Sequence, residues 1–258
     1  MKQSFRKLFK LALLLVFIGS FTMFVYNQLQ SIKAKNAYEQ AESIASETTA
    51  ATTEDTAEST TQAATEETTE EDTKPLVWQE APIEDDDPFI AEFAEKNLDA
   101  LREVNPDVLG WIEIPGTQLA YPIMDGDDNE YYLEHPWDKK ASAAGSIFLE
   151  RLNNSDLRDF NTLIYGHRMM NGSMFGSLTW TLKPNWYKNE DNLNIKLSTT
   201  NTNTVWRIFS IYTIKPEVYY LKTYFQSNEE HQEFLDKIKS RSIYNFNLKE
   251  NLWKHTNK

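Results

Sequence analysis

Apolar and polar positions divide this chain into three regimes. Leu11 to Ile32 contains no charged residue, and its first part, Leu11-Ala-Leu-Leu-Leu-Val-Phe-Ile-Gly-Ser-Phe-Thr-Met-Phe-Val-Tyr26, is strongly apolar. Lys2, Arg6, Lys7 and Lys10 precede it. A helix needs about 20 residues to cross the hydrocarbon core of a bilayer. The run is too long for the apolar part of a signal peptide, and no clean A-x-A cleavage site follows it. The expectation is a basic cytoplasmic tail at 1–10 and an uncleaved single-pass anchor at 11–32, with the N-terminus inside. The second regime, Asn36 to Thr73, holds no Lys or Arg and consists mostly of Thr, Ala, Ser and Glu. Such a stretch cannot bury enough apolar surface to offset the entropy of ordering. Residues 33–87 are therefore expected to form an acidic, disordered linker.

The third regime, 88–258, has the periodicities of a folded domain. Asp85-Asp-Asp-Pro88 is a helix-start pattern. Ile90, Phe93, Ala94, Leu98, Leu101 and Val104 then recur at helical spacing, ending at Asn105-Pro106. Trp111-Ile-Glu-Ile-Pro-Gly-Thr117 and Leu119-Ala-Tyr-Pro-Ile-Met124 predict two strands around a Pro-Gly turn. Gly145 to Leu149 and Leu163 to Tyr165 predict two more. The alternation of Leu193 to Leu197, a polar turn and Val205 to Tyr212 predict a hairpin. Ser173 is placed to cap a helix carrying Met174, Phe175, Leu178 and Leu182. Ser227-Asn-Glu-Glu230 is a capping box ahead of Phe234, Leu235 and Ile238. Short strands with a few helices predict a mainly β, α+β domain, a mixed barrel or sandwich with helical decorations. No internal repeat occurs.

Charge and composition sharpen this division. Of the net −13, residues 1–87 contribute −9 (7 basic, 16 acidic), and residues 88–258 contribute −4 (19 basic, 23 acidic). The folded part is nearly balanced, and nothing in it reads as a nucleic-acid surface. The 258 residues include no cysteine, which excludes a disulfide, a Cys-ligated metal or a thiol nucleophile within them.

The residue with the most chemical promise is His167. It follows the apolar run Leu163 to Tyr165 and Gly166, and it precedes the turn signal Asn171-Gly172. An imidazole held where a buried strand ends suits general acid–base work near neutral pH, although a lone histidine there is more often structural. His135, before a proline, reads as structural, His231 as packing beside Phe234 and Leu235, and His255 as part of a polar tail. Asp125-Gly-Asp-Asp-Asn-Glu130 fails the calcium-loop pattern, with Glu130 at position six and Pro136 at position twelve. It reads as an acidic turn, and no metal or cofactor is implied. No HExxH, Gly-x-Ser-x-Gly or Gly-rich phosphate loop is present.

Several motifs in order carry a family resemblance. They are Asn105 to Thr117, Tyr121-Pro-Ile-Met124, Asp128-Asn-Glu-Tyr-Tyr-Leu133, Gly145-Ser-Ile-Phe-Leu149 and Asn161-Thr-Leu-Ile-Tyr-Gly-His-Arg-Met-Met-Asn-Gly-Ser-Met-Phe-Gly-Ser-Leu178. Between about Phe89 and Asn247 the chain resembles a class B sortase, a membrane-anchored cysteine transpeptidase of Gram-positive bacteria. The resemblance implies an eight-stranded β-barrel with N-terminal helices and a helix before the seventh strand, matched by Asn228 to Lys239. It implies cleavage of a sorting signal on a surface protein, a thioacyl intermediate and transfer to a peptidoglycan precursor amine, without a cofactor. It assigns His167 as the catalytic histidine and Tyr165, Asn129 and Leu133 to the substrate groove. The family's cysteine and arginine lie on its seventh and eighth strands. This chain has no cysteine, and its end, Asn251 to Lys258, does not resemble the family. Ser146, Ser173, Arg168 and Arg207 do not replace the missing groups. The expectation is a barrel lacking its last one or two strands and a protein inactive as written. The alternative is a non-catalytic module, anchored through 11–32 and facing the cell wall, that binds sorting signals or a wall protein.

Overall fold

The computed structural model describes residues 2–47, 96–140, 142–200, 203–215 and 218–246. Six strands form one mixed sheet in the order β4-β3-β2-β1-β5-β6, curled into a half-barrel. β1 (Val108–Glu113) and β2 (Ala120–Met124) are antiparallel, joined by the Pro115-Gly116 turn. β2 pairs in parallel with β3 (Ile147–Leu149), and β3 pairs antiparallel with β4 (Ile164–Tyr165). On the other side β1 pairs with β5 (Asn194–Thr199), which forms a hairpin with β6 (Asn203–Arg207). Among the described residues β4 and β6 are therefore the two edges, each with one partner.

β1, β2 and β3 are buried along nearly their whole length rather than alternating, because helices cover the sheet. α1 (Lys2–Ser46) packs on β2, and α2 (Leu98–Val104) packs on β1. Asn97 caps α2 by accepting from the Ala100 amide at 3.1 Å. A parallel β2–β3 pair needs a long crossover. Residues 125–146 supply it, and they include the one-turn helix α3 (Tyr131–Glu134). A 3₁₀ helix (Phe175–Leu182) and the short α4 (Pro184–Tyr187) fill the span between β4 and β5. α5 (Asn228–Arg241) is capped by Ser227, whose Oγ accepts from the Glu230 amide at 3.2 Å, as its capping box predicts. The core joins Trp111, Ile123, Tyr132, Trp137, Phe148 and Met174.

The structure corrects the N-terminal reading. Among the described residues, no helix is long and apolar enough to cross a membrane. This overturns the single-pass membrane location expected from an anchor at 11–32. The reason is length: Leu11 to Tyr26 spans 16 residues, interrupted by Gly19, Ser20 and Thr22, and Asn27, Gln28 and Gln30 follow. The same helix continues to Ser46, so the segment expected to be disordered from Asn36 is helical for its first eleven residues. Ala34, Ala37, Tyr38, Ala41 and Ala45 explain why. They recur every three or four residues and are buried against the domain. The rest of the expected linker, and the predicted helix start at Asp85 to Pro88, lie outside the described residues.

Other corrections are local. Ser173 does not cap a helix; its Oγ donates to Asn171 Oδ1 at 2.7 Å, and the following turn is 3₁₀. β6 ends at Arg207, so Ile208 to Tyr212 does not continue the hairpin.

α1 is fastened to the domain by Tyr38, whose hydroxyl donates to the Gly145 carbonyl at 2.5 Å, and by Trp137, whose Nε1 donates to the Ala37 carbonyl at 2.7 Å. Tyr38 also meets the Tyr121 ring edge-on, with centroids 4.9 Å apart. Tyr38→Phe keeps the ring but leaves a buried carbonyl without this donor. It should destabilise the protein by about 1–3 kcal/mol. Denaturant unfolding of the full chain measures this, and an unchanged midpoint would contradict the role given to the bond.

Candidate functional site

His167 lies just beyond β4, half-buried, where the chain leaves the sheet. Gly166 precedes it. A Cβ at Gly166 would lie 2.3 Å from Ile147 Cδ1 and 3.1 Å from the Phe175 ring, so only glycine lets the chain pass this close to β3. The His167 carbonyl accepts from the Phe175 amide at 2.9 Å and closes the following loop. The Met174 amide in that loop donates to the Tyr121 hydroxyl at 3.1 Å.

The His167 ring is oriented through one nitrogen. Nε2 lies 2.9 Å from the Leu133 carbonyl. A carbonyl only accepts, so Nε2 carries the proton, and in the neutral ring Nδ1 has the free lone pair. The ring can then take a proton at Nδ1 and return it from there, the behaviour of a general acid–base group. Leu133 is thus joined to His167 by its backbone. Its position depends on Gly145, at φ +57°, where a Cβ would lie 2.4 Å from the Leu133 carbonyl oxygen.

Tyr165 and Asn129 come together through Glu150, which sequence reasoning missed. Glu150 follows β3 and is 7% exposed. Its Oε1 accepts from Asn129 Nδ2 at 2.7 Å and from the Leu152 amide at 3.2 Å, while Oε2 accepts from the Tyr165 hydroxyl at 2.7 Å. The Asn129 Oδ1 accepts from the Arg151 amide at 2.9 Å. Burial pushes the Glu150 carboxyl up, but the hydrogen bonds from Asn129, Tyr165 and the Leu152 amide outweigh it and hold its pKa below the ordinary 4.5. Tyr165 moves the other way: burial, then its bond to the Glu150 carboxylate, pushes its phenol well above the usual 10. The one signal for Glu150 was a carboxylate directly ending a fully apolar run, Ile147 to Leu149.

The remaining candidates lie apart from this arrangement. Ser146 Oγ donates to the His135 carbonyl at 2.8 Å, and His135 stacks on Tyr131 with centroids 4.0 Å apart. His231 is buried between Phe160 and Phe225 on α5. Arg207 engages Glu190 and Asn194 at the far edge of the sheet. Asp128, in the acidic turn, accepts from the Tyr131 and Glu130 amides, which lower its pKa. Among the described residues no group of acidic or histidine side chains could hold a metal ion.

Between the two sheet edges lies an apolar cleft of about 500 Å³. Ile164 of β4, Ile195 and Leu197 of β5, Val205 of β6, and Phe234 and Leu235 of α5 line it. The Thr162 hydroxyl is buried at the cleft with no hydrogen-bond partner among the described residues.

A half-barrel of this order, with a histidine after β4 and a helix after β6, is a sortase fold. The Sortase domain model matches residues 112–236. Curated relatives include sortase B of Listeria monocytogenes, 35% identical over 149 residues, which cover 58% of this chain and 60% of the relative. Sortase B of Staphylococcus aureus is 30% identical over 154 residues, 60% of this chain and 62% of the relative. The chain therefore spans about 60% of the length of the curated relatives it matches. A crystal structure of sortase B from Bacillus anthracis in complex with AAEK1 superposes with a TM-score of 0.62 at 25% identity, covering 86% of this chain and 85% of that one. A Staphylococcus aureus sortase B–substrate complex gives 0.55 at 30% identity, covering 58% and 69%. The chain belongs to the sortase family, in its class B.

Two outcomes follow from the geometry. Nitrogen-15 spectra of the neutral His167 ring should show the Nε2–H tautomer; an Nδ1–H ring would break the link to Leu133. For Glu150, a depressed pKa means that its stabilisation is complete above the ordinary 4.5 and is lost as pH falls through the lower native value. The unfolding free energy of Glu150→Gln should accordingly fall less between pH 5 and pH 3 than that of the wild type, with 5 and 3 taken as roughly one unit either side of ordinary carboxylate titration. Parallel acid limbs would contradict it.

Proposed function

We propose that this chain is the histidine-bearing part of a sorting-signal transpeptidase. In this reading His167 handles the proton, and Tyr165, Asn129 and Leu133 line the groove that receives the sorting signal of a surface protein. The acceptor would be a peptidoglycan precursor amine. The family reaction runs through a cysteine: the thiolate attacks a peptide carbonyl, the amine leaves with a proton, and a second amine displaces the sulfur. An imidazole with one fixed N–H and one free nitrogen suits both proton transfers. No cofactor is required for that chemistry.

Residues 1–258 contain no cysteine. On their own they form no thioacyl intermediate, and in this reading the thiol is supplied in trans. The observation that carries this reading is the position of His167 beside the open β4 edge, with the apolar cleft and the unpartnered Thr162 hydroxyl next to that edge. Two further strands bearing the cysteine and an arginine would find unpaired backbone groups and apolar surface there. The lack of a thiol beside an otherwise ordered groove also supports a second reading, a non-catalytic module that binds sorting signals.

Complementation separates these readings. The full chain alone should leave a fluorogenic sorting peptide intact. Adding a synthetic two-strand peptide with a Thr-Leu-x-Thr-Cys-like segment and a following arginine should produce thiol-dependent cleavage. Replacing His167 with Ala in that mixture should lower the rate by at least about 100-fold, the lower range for general acid–base catalysis. Cleavage by the chain alone would overturn the proposal. Binding of the sorting peptide with no cleavage after complementation would favour the binding module.

A further inference from the structure

We propose that Glu150 is a positioning residue that fixes the hydrogen-bonding polarity of the groove, so that Tyr165 presents its oxygen as an acceptor and Asn129 its second Nδ2 hydrogen as a donor to an extended peptide backbone. The peptide as ligand rests on the function proposed above; the polarity itself rests on the geometry alone.

A carboxylate has no hydrogen to give, so both neighbours must donate to it. Tyr165 has a single hydroxyl hydrogen, and it is spent on Glu150 Oε2 at 2.7 Å. Its oxygen can then only accept from a ligand. Asn129 is held at both ends: Nδ2 donates to Glu150 Oε1 at 2.7 Å, and Oδ1 accepts from the Arg151 amide at 2.9 Å. The amide cannot flip without setting its oxygen against the carboxylate and its NH₂ against a backbone N–H. Its second Nδ2 hydrogen remains for a ligand. One acceptor and one donor, both tied to the same buried carboxylate, match the N–H and C=O that an extended peptide presents along its backbone.

Glutamine is nearly isosteric with glutamate but carries one donor end and one acceptor end. In Glu150→Gln, either Asn129 or Tyr165 faces a donor and must turn. If Tyr165 turns, its hydrogen points to the ligand and the groove loses its acceptor. The low pKa of Glu150 keeps the carboxylate ionised across the neutral range, in line with an acceptor-only role.

The test has one part that needs no ligand. In the full chain, carbon-13 labelling of tyrosine Cζ should show Tyr165 ionising well above the ordinary 10. In Glu150→Gln that titration should fall by at least one pH unit, and in Glu150→Asp it should return part of the way. The second part measures binding of a sorting peptide and of its singly N-methylated analogues. The wild type should lose at least tenfold affinity on methylation at one position, and Tyr165→Phe should lose that sensitivity while circular dichroism shows it folded. An unchanged Tyr165 titration in Glu150→Gln would overturn the positioning role. N-methyl sensitivity retained in Tyr165→Phe would overturn the polarity assignment. If the wild type binds no sorting peptide, the proposed ligand fails, while the titration still decides the role of Glu150.

Discussion

The site depends on the pin that Gly145-Ser146 forms at the end of the crossover between β2 and β3. The Ser146 amide donates to the Tyr132 carbonyl at 2.7 Å, bringing the end of the crossover back against α3. Gly145 takes a positive φ so that the backbone can pass within contact of the Tyr132 and Leu133 carbonyls. The Tyr38 hydroxyl binds the Gly145 carbonyl from α1. These contacts direct the Leu133 carbonyl, which in turn orients His167. A helix far away in sequence therefore helps to aim the ring: α1 holds Gly145, and through the Tyr38–Tyr121 contact it also braces the loop that follows His167.

Around this pin the domain places one buried carboxylate, Glu150, and satisfies it by hydrogen bonds rather than by a cation. Removing a charge from water is costly unless its lone pairs are filled. Here two side chains and a backbone amide fill them. The arrangement ties the turn at Asn129, the end of β3 and the strand β4 into one hydrogen-bonded unit where β3 and β4 are short.

The opposite flank of the same strand is open. β4 and β6 face each other across an apolar cleft roofed by α5, and neither has an outer partner among the described residues. Unpaired edges beside apolar surface favour strand addition. His167 follows β4, and the Tyr165 hydroxyl reaches back to Glu150 at the end of β3, so both adjoin the strand whose outer edge is open.

Much of the fold was legible in the residues because it depends on local physics. Period-two alternation, the Pro115-Gly116 turn and the Ser227–Glu230 box marked β5, the β1–β2 hairpin and α5 close to where they lie. The chemical prominence of His167 was also readable, since a titratable ring after a short apolar strand stands out. Two things were not. An apolar run followed by a small-residue helix has the same composition whether it faces lipid or the flank of a sheet; only the burial of Ala34, Ala37, Tyr38 and Ala41 shows that the helix continues onto the domain. The role of Glu150 was likewise hidden, because its partners Asn129 and Tyr165 are 21 and 15 residues away in the chain. Period and propensity act over a few residues and are written in the sequence, whereas the pairing of a buried charge depends on which strands lie side by side, and that is decided only when the sheet closes.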